Sequence, residues 1–199
     1  DPVQTFRVLR RTGVPSRFEA SVRRGLSPIV GRDEELSLLR KRWRSAREGK
    51  GQVVLLSGEP GVGKSRIVRA FRETLAEEPH VEARLYCSPH HRHRAFHPIL
   101  EQLGYWLKFE STDTAAQKLE KLESGLAGLD LGVKEAVPVL ASFLTLPSDS
   151  KSCSIKVDPP QLKRAMLETL LSIVRAFAAS TPYLMVVEDV HWADPSTLE

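Results

Sequence analysis

The run Gly58-Glu59-Pro60-Gly61-Val62-Gly63-Lys64-Ser65 constrains this chain more than any other stretch of it. It fits G-x-x-x-x-G-K-[ST], the loop whose glycines let backbone N–H groups approach phosphate oxygens. Its flanks fit too. Gln52-Val53-Val54-Leu55-Leu56-Ser57 is a short apolar run of the kind found in buried parallel strands. Arg66 to Leu75 follows, with Ile67, Val68, Phe71 and Leu75 at helical spacing. Strand, glycine loop and helix together predict a phosphate site, because the helix N-terminus adds about half a positive charge beneath the anion. Lys64 is then placed for the β- and γ-phosphates, and the Ser65 hydroxyl for Mg²⁺. The residues point to a nucleoside triphosphate and do not themselves choose between ATP and GTP.

A second element matches the first. Tyr183-Leu184-Met185-Val186-Val187-Glu188-Asp189 is an apolar strand ending in two acids, the form of a Walker B element. Acids at the carboxyl end of a parallel strand lie where ligands bind in open α/β sheets. By position Glu188 is the metal-side acid and Asp189 the one that polarises the attacking water. Lys64, Glu188 and Asp189 are therefore the candidate catalytic residues, with Ser65 and Glu188 toward the metal. Many P-loop ATPases carry the reverse order, Asp then Glu, so the division of roles stays open. Glu188 follows Lys64 by 124 positions, which demands an insertion between the two motifs.

Residues 1–29 show weak periodicity and read as a basic connector from an upstream domain, with a short strand near Thr5 to Leu9. Residues 30–199 read as the P-loop domain, with a helical insertion over about 97–180. A helix is predicted from Asp33 to Lys50, with Leu36, Leu39, Trp43 and Ala46 on one face. A second strand is predicted at Val81 to Cys87. Ile99, Leu103 and Trp106 mark one insertion helix, and Leu119, Leu122 and Leu126 another. Val137 to Leu144 forms an apolar cluster that Pro138 should break. A polar loop from Pro147 leads to a long helix, with Pro160 in its first turn, that ends near Ala179.

Composition narrows the class. With 41% hydrophobic and 27% charged residues the chain is ordinary for a globular protein. No run approaches 18 consecutive apolar residues, so no membrane contact is expected. Cys87 and Cys153 form no disulfide framework, which suits a reducing cytoplasm. Thirteen Arg and Lys against six acids give residues 1–50 a charge of +7, within a net +4. No nucleic-acid recognition motif accompanies that basic quarter, and a solvated face or an acidic neighbouring domain is the expected counterpart. Cys87, His90, His91, His93 and His97 raise the alternative of a metal cluster, although no second ligand pair stands at a zinc-finger distance.

Three stretches make the chain resemble a STAND-type ATPase, the AAA-related signal-transduction class with many appended domains. Ile29 to Leu36 is similar to the Gly-Arg-x-x-Glu box, which places Val30, Gly31 and Arg32 beside the adenine. Ser57 to Arg66 resembles its P-loop, so that Gly58, Glu59, Pro60, Gly61, Val62, Gly63, Lys64, Ser65 and Arg66 would hold the nucleotide. Val186 to Leu198, with Trp192-Ala193-Asp194-Pro195, resembles its extended Walker B. Tyr86 to His91 and the Ser16 to Pro28 connector resemble modules that follow class III adenylate/guanylate cyclases; related modules precede helix-turn-helix regulators.

The resemblance implies an α/β, three-layer P-loop NTPase fold with a parallel sheet and a helical insertion, truncated at its C-terminus. It implies ATP and Mg²⁺ as ligands, fused cyclase or DNA-binding domains as partners, and self-association through the ATPase domain. The activity it implies is a regulatory ATP switch. Further readings are a DNA-associated AAA-type ATPase, a small-molecule kinase, and a scaffold that holds nucleotide without turnover. The absence of an Arg-rich lid after the P-loop helix speaks against the kinase.

Overall fold

The computed structural model describes residues 28–146 and 158–199. The expected strand near Thr5 and most of the loop from Pro147 lie outside them. The chain divides into two compact units, residues 1–74 and 75–199.

In the first unit, helix α1 spans Asp33–Arg47 and α2 spans Lys64–Thr74. Asp33, Glu34 and Glu35 occupy the first turn of α1, and Arg44 and Arg47 the last, each sign at the helix end whose partial charge it complements. Leu36, Leu39 and Trp43 recur at helical spacing and are buried, as are Ile67 and Phe71 of α2, against which α1 packs. Between the helices the structure departs from expectation. Gln52 to Ser57 form no strand: Val53 is 98% and Leu55 78% exposed, and no described residue pairs with them. A parallel strand exists only through its neighbours' hydrogen bonds, and the apolar run alone does not supply them.

The second unit holds a two-stranded parallel sheet. β1 spans Val81–Tyr86 and β2 spans Tyr183–Glu188, in register from Val81 opposite Tyr183 to Tyr86 opposite Glu188. The crossover between them is helical: α3 (His97–Trp106), α4 (Ala115–Gly128), α5 (Val133–Phe143) and α6 (Pro159–Ser180). Pro138 does not break α5. It sits inside the helix, whose flanking Ala136, Val137, Val139, Leu140 and Ala141 are all buried. Burying that face outweighs the one hydrogen bond that proline removes. The helical core centres on the fully buried Leu122, Leu126, Leu140 and Met166. Edge-to-face pairs join Trp106 to Phe177 and Phe96 to Phe143, with centroids 5.1 Å and 5.3 Å apart. The helices thus form one packed body, and β1, which α3 packs against, aligns beside β2 so that the loops after both strands emerge at the same end.

Candidate functional site

The P-loop's conformation follows from its glycines. Gly63 has φ 97°, in the left-handed region that L side chains avoid. At Gly58, φ 155°, a Cβ would come within 3.0 Å of Val62 Cγ1. Only residues without side chains let the backbone turn this tightly ahead of α2. The Val62 N–H donates to the Glu59 carbonyl at 3.3 Å, and Ile67 N–H to that of Gly63 at 3.0 Å, which joins loop to helix. Lys64 is the first residue of α2, and Ser65 and Arg66 follow in its first turn. Lys64 Nζ arches back to donate to the carbonyls of Gly58 at 2.8 Å and Glu59 at 3.0 Å. The ammonium therefore spans the mouth of the loop and is satisfied there by neutral acceptors, which an anion would displace to its own advantage.

The Gly-Arg box reaches the same loop. Arg32 Nη2 donates to the Val62 carbonyl at 3.1 Å, and its Nη1 to Glu35 Oε1 at 2.6 Å. That guanidinium holds the Glu35 carboxyl below the usual carboxylate range. Val30 and Gly31, just before it, are exposed.

In the second unit, Glu188 is the last residue of β2, and its carbonyl accepts from Cys87 N–H at 3.1 Å. Asp189 leaves the ladder in the left-handed region, φ 56° and ψ 41°, and is exposed. A 3₁₀ turn, Val190–Trp192, follows, with Trp192 N–H on the Asp189 carbonyl at 2.8 Å. The two acids thus differ: one is fixed in a strand, the other is displayed from a turn.

The histidines after β1 do not converge on a point. His91 and His97 stack face to face with centroids 3.7 Å apart, and His97 is buried with no hydrogen bond to its Nδ1. No group of three or more His, Cys, Asp or Glu among the described residues is placed to share a metal, so the metal-cluster alternative fails. Imidazole lone pairs lie in the ring plane, so two parallel rings 3.7 Å apart do not aim theirs at one metal ion. Cys87 is buried, which pushes its thiol up, and the nearby charges of Asp194 and Asp189 push it further.

Asp194 is the site residue that the sequence left without a role. It is 2% exposed, and its carboxylate accepts hydrogen bonds from Phe96, Ser196 and Thr197 N–H and from the Thr197 hydroxyl. The local half of that pattern was written in Asp194-Pro195-Ser196-Thr197, an aspartate closing a turn on the amides two and three residues ahead. The link to Phe96 had no sequence signal. An open cavity of about 690 Å³ lies elsewhere, between α3 and α4, lined by Trp106, Lys121 and Gly125, and contains none of the motif residues.

Within the first unit the donors suit a triphosphate: a Cβ at Gly58 would crowd the Val62 side chain, Lys64 supplies a cation, and Ser65 offers a hard oxygen of the kind Mg²⁺ takes alongside phosphate. In the second unit Glu188 and Asp189 are oxygen donors of the same kind.

Comparison with known proteins gives the family. The family described as AAA ATPase domain matches residues 28–199. An uncharacterized protein of Rhizobium meliloti (strain 1021) is 27% identical over 198 residues, 98% of this chain. The chain spans 19% of that protein's length. No solved structure matches the chain.

Proposed function

The chain belongs to the AAA ATPase domain family, and from that premise we propose that it is the ATP-dependent switch of a multidomain signalling protein. The observation that carries the reading is the P-loop itself, with glycines at 58 and 63 in backbone conformations closed to side chains and Lys64 tethered across the loop mouth. Backbone N–H groups of residues 61–65 receive the phosphates, while Lys64 trades its carbonyl acceptors for β- and γ-oxygens. Glu59, Pro60 and Val62 shape the loop, Arg66 follows it, and Arg32 fastens the Val30-Gly31-Arg32 box to it on the adenine side. Ser65 and Glu188 would hold Mg²⁺, which would neutralise charge on the phosphates. Asp189, displayed from its turn, orients and polarises the attacking water.

The regulatory part of the proposal is supported by length. A relative about five times as long carries this region as one segment, which suits a module that reads nucleotide and passes the result to fused domains. A cyclase or a DNA-binding domain is the output that the resemblance favours, and self-association through this domain belongs to the same proposal. No helix among the described residues is long and apolar enough to cross a membrane, and a cytoplasmic setting belongs to the same proposal.

Calorimetric titration of ATP and of GTP, each with Mg²⁺, into the chain and its Lys64→Ala variant tests the reading. Micromolar ATP binding lost in the variant, with weaker GTP binding, is the expected result. Equal binding by the variant, or none by the folded wild type, would sink it.

A further inference from the structure

A carboxylate buried without a cation is costly unless hydrogen bonds replace the water it gave up. Asp194 meets that condition from two directions. Oδ1 accepts from the N–H groups of Ser196 at 3.0 Å and Thr197 at 3.1 Å, and Oδ2 from Thr197 Oγ1 at 2.5 Å. Those bonds close its own turn. Oδ1 also accepts from Phe96 N–H at 3.1 Å, 98 residues away in sequence. Phe96 is 1% exposed and stands at φ 58° just ahead of α3.

The bond joins two particular loops. One leaves β1 and carries His91 and Arg92; the other leaves β2 and carries Asp189 and Trp192. The strands are parallel, so both loops emerge at their carboxyl ends, where α/β proteins bind ligands. A second contact ties the same loops, with the Arg92 guanidinium 5.3 Å from the Trp192 ring centroid. Asp189 itself is exposed and stands in the left-handed region, at the start of the 3₁₀ turn that leads toward the buried Asp194.

We propose that Asp194 is a positioning residue that clasps the loop after β2 to the loop after β1 and thereby aims Asp189. The proposal rests on the ATPase reading for what Asp189 is aimed at, whereas the clasp itself does not. Pulling the loops apart would leave the Asp194 carboxylate short of a donor in a dry site, so the clasp is stiff and the acid presented by its far side keeps its place.

The test uses Asp194→Ala, which removes the acceptor, and Asp194→Asn, which keeps an oxygen for the amides. Two quantities are measured: hydrogen exchange at the Phe96 amide without ligand, and kcat and KM for hydrolysis of ATP with Mg²⁺. In Asp194→Ala, Phe96 exchange should rise about tenfold or more while α5 and α6 stay protected. Its KM should stay within about twofold of wild type while kcat falls about tenfold or more, because binding is intact and the acid that polarises the water is misplaced. Asp194→Asn should keep most of both properties. An unchanged kcat in Asp194→Ala overturns the positioning role. General loss of protection in α4 to α6, in both variants alike, also overturns it, by making Asp194 a core residue only. A folded wild type that hydrolyses no ATP removes the positioning role together with the ATPase reading. Failure of the proposal alone is recognised by wild-type hydrolysis that does not respond to residue 194.

Discussion

At the scale of single residues, the chemistry is set by what each side chain is denied. His97 is denied water. Burial lowers its pKa most, the stacked His91 and then Arg94 lower it further, and Glu101 and Asp194 pull the other way. A neutral ring in the folded chain and an ordinary imidazole in the unfolded one mean that the unfolded state binds the extra proton first. Stability is therefore complete above pH 6.5 and is lost as the pH falls below it, at up to about 1.4 kcal/mol per pH unit for one proton. Urea unfolding at pH 7.5 and 5.5 should show that loss, and His97→Phe, which keeps a ring against His91 and cannot take the proton, should reduce it. An equal slope in the variant would mean that another group carries it. Lys64 is the reverse case, satisfied by carbonyls that an incoming phosphate can replace, so its substitution should be felt in binding and hardly in stability.

At the scale of elements, glycine shows how far sequence reading goes. Gly125 and Gly128 both lie in α4, and both look like weak points in a helix. They differ in their neighbours. A Cβ on Gly125 would meet Leu107 Cδ2 at 2.4 Å and Trp106 Cη2 at 3.4 Å, whereas one on Gly128 would meet nothing. Overpacking of about 1–3 kcal/mol should exceed the helix-propensity gain of about 1 kcal/mol at residue 125. Gly125→Ala is thus expected to destabilise the chain by about 1 kcal/mol, and Gly128→Ala to stabilise it by a few tenths to about 1 kcal/mol. Chemical denaturation of the two variants checks the sign of each. The start of the same helix carries a capping box, with Thr114 and Gln117 each bonded to the other's backbone. Thr114→Ala should cost about 1 kcal/mol in the same assay. That box was legible as T-x-x-Q, since cap chemistry involves neighbours only. The continuity of α5 through Pro138 was not, because it depends on the burial of five flanking residues.

At the scale of the molecule, the helical body of the second unit supports the sheet end that carries Glu188 and Asp189. Leu140 is fully buried between α5 and its neighbours, so Leu140→Ala should lower the unfolding free energy by about 2–5 kcal/mol through the cavity it leaves. A loss under about 1 kcal/mol would mean that the core collapses around the gap and packs less tightly than its burial indicates.

The amino-acid sequence by itself determined what depends on near neighbours. The glycines and Lys64 of the P-loop, the helical spacing of Leu36, Leu39 and Trp43, and the apolar strand ending in two acids were all readable, because each acts within one turn or one strand. Tertiary structure decided what depends on partners far along the chain. Gln52 to Ser57 have the composition of a strand but no ladder among the described residues, and β1 and β2 are strands because they have each other. The histidines had the composition of a ligand set but stack, and Asp194 acquired its role only when Phe96 presented an amide to it. Hydrogen bonds and ring contacts act over a few ångströms of space, and separation along the sequence does not reveal which groups will meet.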